Sequence, residues 1–327
     1  MKMNQKKTNV IVRLISVVLV ILSLNSAFSN ESLDSQSFIN LESQFFDLYK
    51  NRMEEIKEGS RPFLLSQHKK APTVVMFHGL SDSPGSLKEV AQVYYRLGYN
   101  VLTVLLRDHG LRKENRDLAR LKVRVADWRA DIDQVMQVAF LLSDSSKVAL
   151  AGYSLGGALA TDTADRYEGK ISSLVYITPL FKMNHQGFAH VAKYLRGLRY
   201  LLKKGIDESA HFYPDFTFNQ VYQTYLLTKH LRLNVTKLAK NNFKEIPKMM
   251  FLTDADLTVE NDFALKTAKW IHIPEENIVL YENNDKDRVV LHRDLPMRFI
   301  NANHRENPFI DDLLVRLESF LETLSTK

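Results

Sequence analysis

Residues 147–157 read KVALAGYSLGG. A short apolar run passes without a break into Gly152-Tyr153-Ser154-Leu155-Gly156, and the small residues Gly157, Ala158 and Ala160 open a helical stretch behind it. Strand, Gly-x-Ser-x-Gly turn and helix in that order lift a serine hydroxyl clear of the edge of a sheet. Gly152 and Gly156 have a steric part in this, because strand and helix pass too close for a Cβ at either position. A serine hydroxyl is a poor nucleophile by itself. It needs a base, an acid to orient that base, and amide donors for an oxyanion.

The elbow sits inside a repeating pattern. Short apolar runs occur at Pro72 to Phe77, Asn100 to Leu106, Lys147 to Ala151, Ser172 to Ile177, Lys248 to Leu252 and Asn277 to Tyr281. They read as strands buried on both faces of a parallel sheet. Between and after them, Val125, Trp128, Ile132, Val135, Met136, Ala139 and Leu142, and then Ile310, Leu313, Leu314, Leu317, Leu321 and Leu324, recur at helical spacing. Alternating strands and helices predict an open α/β fold, with ligands at the carboxyl ends of the strands. One connection, residues 182–247, is far too long for a crossover and is expected to be a separate module.

The chain has 327 residues, of which 45% are apolar and 25% charged, enough for a large core. It has no cysteine, which excludes a disulfide framework, a thiolate metal site and a cysteine nucleophile. The net charge of +6 is unevenly placed. Lys2, Lys6, Lys7 and Arg13 precede the apolar run Leu14 to Leu24, which is too short to span a bilayer, and Ala27-Phe28-Ser29 follows as a cleavage-like site. Residues 1–29 therefore read as a secretory signal, with an uncleaved inner-membrane anchor as the alternative. The remaining 298 residues carry 40 basic and 38 acidic groups, too even a balance for a nucleic-acid binder.

A family resemblance emerges from several segments together. His78 to Gly85 (HGLSDSPG), the following SLKEVA, Asp108-His109-Gly110, Asp127-Trp128 and GYSLGGALA resemble the bacterial α/β-hydrolases of the lysophospholipase, monoacylglycerol lipase and serine aminopeptidase group. The resemblance runs from about Arg61 to Pro179 and resumes, more weakly, from Lys248. It implies a core of residues 61–181 and 248–327, a helical lead-in over 30–60, and a helical lid over 182–247. One loop departs from the family pattern, which usually reads Pro-Gly-His-Gly where this chain has Arg107-Asp108-His109-Gly110.

The site follows from the same comparison. The backbone N–H groups of Leu80 and Leu155 are the oxyanion candidates, with His78 and Gly79 supporting the first of them. His78 is expected to brace its loop, since its strand precedes the elbow. In KMMFLTDADLTV (residues 248–259), the family pattern of an Asp followed three residues later by Val selects Asp256, with Asp254 as the alternative. The base belongs between the last strand and the terminal helix, where His292 and His304 both lie. His304, closer to that helix, is the expected base, with His292 as the alternative. The implied chemistry is attack by Ser154 on an ester carbonyl, with no metal and no cofactor required.

Residues 182–247 hold 11 basic and four acidic groups and 10 of the 33 aromatic residues. Such a surface suits an acyl chain joined to an anionic head group, or contact with a membrane surface. Equally, the aromatic residues can simply pack the module onto the sheet. Hydrolysis of a lipid-like carboxylic ester is the leading expectation. An aminopeptidase or acyltransferase on the same residues, or a non-catalytic binding protein on a hydrolase fold, are the alternatives.

Overall fold

The computed structural model describes residues 35–112, 122–184, 186–197, 199–201, 212, 215–238, 242–300 and 304–325. The signal segment expected over residues 1–29 lies outside them, as does part of the expected lid.

Each apolar run in the sequence is a strand. In chain order the main sheet is built from β1 (Leu64–Leu65), β2 (Thr73–Phe77), β3 (Asn100–Val104), β4 (Val148–Tyr153), β5 (Ile171–Ile177), β8 (Lys248–Thr253) and β9 (Ile278–Tyr281). A separate pair, β6 (Arg199–Leu201) and β7 (Asp215–Thr217), forms an antiparallel ribbon. Strand order in the main sheet is β1-β3-β2-β4-β5-β8-β9, with β1 antiparallel and the rest parallel. Every residue of β2, β3, β4 and β8 is buried, which is why these strands carry no polar alternation.

Helices cover both faces. On one side lie α1 (Ser35–Asp47), α3 (Val125–Leu142), α4 (Leu155–Arg166) and α7 (Asn261–Trp270), whose Phe45, Trp128, Ile132, Leu159 and Ala268 pack with Val75, Leu150 and Leu252 of the sheet. On the other lie α2 (Lys88–Arg96) and α8 (Ile310–Ser325), whose Val90, Tyr94, Leu313, Leu317 and Phe320 meet Met76, Ala151 and Val175. Each large apolar side chain buried in this way contributes roughly 1.5–3 kcal/mol. The lead-in is α1 followed by short 3-10 turns, anchored by the buried Phe38, Phe45, Tyr49 and Ile56.

Chain order along the sheet reverses between β2 and β4. From β2 the chain steps outward to β3, then returns to β4 on the opposite side and continues toward β9. At such a switch point the loops leaving the two neighbouring strands part and leave a crevice. Here those loops begin with His78 and Ser154.

The excursion between β5 and β8 is not purely helical. It contains α5 (Gln186–Ala192), the β6/β7 ribbon and α6 (Phe218–Leu238). Leu227, Leu231 and Leu238 of α6 join the core beneath α4, while Val221 and Tyr225 form a small cluster with Ala192. Polar contacts fix its near end: Asn219 Nδ2 donates to the Val123 carbonyl at 2.8 Å, and the Val125 N–H donates to Gln223 Oε1 at 3.1 Å. Tyr225 is thus a packing residue, whereas Tyr194 is 81% exposed.

Candidate functional site

Ser154 follows the last residue of β4 and precedes the first residue of α4, with φ 55° and ψ −121°. Positive φ at a non-glycine residue is costly and persists only where its surroundings enforce it. The enforcement is visible here. The Ser154 N–H donates to the Ile177 carbonyl at 3.0 Å, and its carbonyl accepts from Gly157 and Leu180 N–H groups, both at 2.9 Å. A Cβ on Gly156 would lie 2.0 Å from the Phe77 carbonyl oxygen, and one on Gly152 would lie 2.3 Å from that of Gly156. Both glycines are therefore required for strand and helix to pass.

The partner of Ser154 is His292. Its Nε2 lies 2.7 Å from Ser154 Oγ, and its Nδ1 lies 2.6 Å from Asp256 Oδ2. The other oxygen, Asp256 Oδ1, accepts from the N–H groups of Thr258 and Val259, both at 2.8 Å. The acceptor-only carboxylate fixes the ring with its proton on Nδ1, which leaves Nε2 free to accept the serine proton. All three residues are buried, and the Asp256 side chain has no exposed surface.

The expectation for His304 is corrected. That residue is exposed, in a left-handed conformation with φ 52°, and its N–H donates to the Ile300 carbonyl at 2.9 Å in an outlying turn. The loop after β9 meets the sheet at the fully buried Val290, two residues before His292, and stays packed through Leu295 and Ile300 before His304 turns out to the surface. A sequence signal for this exists: His292 follows Val289-Val290-Leu291, whereas His304 sits among Asn301, Asn303, Arg305 and Glu306. An apolar anchor beside a histidine marks a docked loop.

Asp254, the alternative acid, is exposed and has a different partner. It accepts from Asn283, whose Nδ2 lies 2.5 Å from Asp254 Oδ1 and 2.8 Å from Thr253 Oγ1. Asn283 Oδ1 in turn accepts from the Val290 N–H at 2.7 Å, and Thr253 Oγ1 donates to the Val290 carbonyl at 2.8 Å. Sequence reading did not single out Asn283 or Thr253. Together they tie the His292 loop to the end of β8, which carries Asp256.

On the other side of Ser154 lies the loop after β2. A Cβ on Gly79 would lie 3.2 Å from Ser154 Cβ and 2.9 Å from Tyr153 Cε1, so the Gly79-Leu80 turn is pressed against the elbow. His78 braces it: Nδ1 donates to the Gly79 carbonyl at 2.7 Å, and Nε2 accepts from the Leu106 N–H at 3.3 Å. Burial pushes the His78 ring down to about 4, so it is neutral, as this pair of bonds requires. Leu155 opens α4, and its N–H belongs to the first turn, which has no intrahelical acceptor. The departure at residues 107–110 also has a local cause. Arg107 is clamped to α3, its N–H 2.6 Å from Asp131 Oδ2 and its Nη2 2.9 Å from Oδ1.

A buried hydrogen-bonded chain of carboxylate, imidazole and strained serine, beside two backbone turns, can activate a hydroxyl for attack on an acyl carbon. Comparison with known proteins agrees. A family model described as serine aminopeptidase, S33, matches residues 68–284. The chain belongs to that family. The chain is 24% identical over 217 residues to a thermostable monoacylglycerol lipase of Bacillus sp. strain H-257, covering 64% of this chain and 81% of that one. Among solved structures, a metagenome-derived lipolytic enzyme superposes with a TM-score of 0.63 at 18% identity, covering 83% of this chain and all, 100%, of that one. A monoglyceride lipase from Saccharomyces cerevisiae does so with a TM-score of 0.61 at 13% identity, covering 80% and 91%. These superpositions show the α/β-hydrolase fold, and the S33 family match makes the chain a hydrolase on that fold.

Proposed function

We propose that the protein is a serine hydrolase that cleaves carboxylic esters of lipid-like substrates, monoacylglycerols or lysophospholipids, through Ser154, His292 and Asp256. The observation that carries this reading is the unbroken chain from Asp256 Oδ2 through His292 to Ser154 Oγ, with steps of 2.6 and 2.7 Å. The similarity to a monoacylglycerol lipase supports the substrate class.

In this mechanism His292 Nε2 takes the hydroxyl proton as Ser154 Oγ attacks the ester carbonyl. Asp256 holds the Nδ1 proton and stabilises the imidazolium that forms. The Leu80 and Leu155 N–H groups stabilise the oxyanion. The imidazolium then protonates the departing alcohol, leaving an acyl group on Ser154. Water, deprotonated by His292, attacks that acyl group and releases the acid.

Two further elements belong to the same reading. Residues 182–247 act as a lid whose exposed Tyr194 and Leu233 and whose cations touch a lipid surface. Residues 1–29 direct export, as their lysines, apolar run and small residues suggest.

A fluorophosphonate probe tests the central claim. It should label the wild-type protein at Ser154, as mapped by mass spectrometry, and should not label Ser154→Ala. A folded wild-type protein that stays unlabelled and cleaves no ester overturns the reading. N-terminal mass analysis of protein recovered from outside the cytoplasm tests export, with a mature chain starting near Asn30 expected.

A further inference from the structure

The residue after His292 carries a charge whose donors are not accounted for. Arg293 has a side chain 17% exposed, and its Nε and Nη1 are buried with no hydrogen-bond partner among the described residues. A guanidinium cannot give up its proton, so buried N–H groups of this kind await an acceptor. Arg293 Cζ lies over the Phe212 ring, 5.2 Å from its centroid, within cation–π range. The N–H groups of a guanidinium lie in its plane and point outward along its edge.

Arg293 is ion-paired with the buried Asp294, but the contact is too long for a hydrogen bond and leaves the Nε and Nη1 N–H groups untaken. Asp294 Oδ1 is 3.8 Å from Arg293 Nε, beyond hydrogen-bond reach, while its Oδ2 accepts from the Leu291 N–H at 3.4 Å. Asp256 is engaged by His292 and two backbone N–H groups. Asp82 accepts from the Ser86 hydroxyl, and its Oδ1 is buried without a partner among the described residues. Tyr153 relates these groups: its ring lies 5.5 Å from that of His292, and its hydroxyl, held protonated first by burial, also feels Asp82, Asp256, Asp294 and Arg293.

Position indicates which part of a substrate would meet this edge. His292 must reach the oxygen of the departing alcohol, and Arg293, next in the chain, acts on the same Tyr153 whose ring lies 5.5 Å from that of His292, which puts its charge in the neighbourhood of that oxygen. Phe212 is also held by a second cation, Lys57, whose Nζ donates to its carbonyl at 3.5 Å. The 182–247 segment, with 11 basic against four acidic groups, adds a positive field that favours approach of an anion.

Resting on the hydrolase reading above, we propose that Arg293 is a specificity-determining residue that binds an anionic oxygen group, a phosphate or carboxylate, on the alcohol portion of the substrate. The bidentate match between guanidinium and phosphate or carboxylate supplies the selectivity. The preferred esters are then acidic monoacyl lipids rather than neutral ones.

The test compares kcat/KM for 1-oleoylglycerol 3-phosphate with that for 1-oleoylglycerol, in wild type, Arg293→Met and Arg293→Lys. Wild type should prefer the phosphorylated ester by about tenfold or more, by analogy with other desolvated charge pairs. In Arg293→Met that ratio should fall toward one, chiefly through KM, and Arg293→Lys should recover part of it. A wild type with no preference overturns the assignment even if no variant folds, and so does an Arg293→Met that slows both esters equally. Inhibition of 1-oleoylglycerol cleavage by inorganic phosphate in wild type, lost in Arg293→Lys, with no preference for the phosphorylated ester, would place a free anion at Arg293 and overturn the head-group role. Fluorophosphonate labelling of wild type separates the two levels. An unlabelled, inactive wild type overturns the hydrolase reading itself, whereas a labelled wild type indifferent to head-group charge overturns only the role of Arg293.

Discussion

His292 Nε2 and Ser154 Oγ lie 2.7 Å apart although 138 residues of chain separate them. The contact closes because β4 delivers the serine on a forced left-handed turn, while Val290 docks the histidine loop against the sheet. Replacing His292 by Ala should lower kcat/KM for a short-chain ester by roughly a thousandfold or more, as loss of a paired base does. His304→Ala should stay within about twofold, because a surface residue outside the site contributes little. Parallel kinetics on the two variants decide between these histidines, and the opposite ranking would return the base to His304.

The ease of finding Ser154 and the difficulty of finding its partner have one physical origin. Strand, elbow and helix are local, so the required glycines stand within two residues of Ser154 and are legible in KVALAGYSLGG. The sheet is equally legible, since strands covered on both faces must be continuous apolar runs. The base depends on where a long loop after β9 touches the sheet, which is decided by Val290 packing and by the bonds of Asn283 and Thr253 to the loop. Ribbon strands β6 and β7, three residues each, are too short to establish a period of two, so the 182–247 segment read as helical.

Asp256 and Asp254 stand two residues apart and have different roles. Asp256→Asn keeps the volume but replaces the acceptor-only group facing His292 Nδ1, so the wrong imidazole tautomer is favoured. A fall in kcat of about ten-thousandfold is expected, with the melting temperature little changed. Asp254→Asn keeps a polar partner for Asn283 and should retain activity within a few-fold. Measuring kcat beside thermal melts for both variants separates a lost orienting acid from a loosened loop.

Elbow glycines can be tested against glycines elsewhere. Gly156→Ala would bring a Cβ to 2.0 Å from the Phe77 backbone oxygen, which cannot yield as a side chain end can. Destabilisation of about 3 kcal/mol or more is expected. Gly187, within α5, has nothing within 4 Å of the position its Cβ would take. There Gly187→Ala should stabilise by up to about 1 kcal/mol through helix propensity. Chemical denaturation of both variants reads the contrast, and equal effects would mean that the close passage of strand and helix is absent.

Asp82 gives a prediction in pH. Burial pushes its carboxyl up to about 7 from an ordinary 3.8, against the smaller opposing effects of the Ser86 hydroxyl and a backbone N–H. The folded protein therefore holds this proton more tightly than the unfolded chain does. Its contribution to stability is fully present below pH 3.8 and is lost as pH rises through about 7, by on the order of 4 kcal/mol. His78 works in the opposite direction, since its ring is pushed down to about 4, so its contribution is lost as pH falls from 6.5 toward 4. The wild-type profile mixes the two, and the difference between wild type and Asp82→Asn isolates the carboxyl. Asn cannot ionise but can still accept from Ser86. The variant's advantage in unfolding free energy should therefore grow between pH 4 and 7 and level off above 8. A difference that stays flat across this range would show that Asp82 ionises as readily in the folded protein as in the unfolded chain.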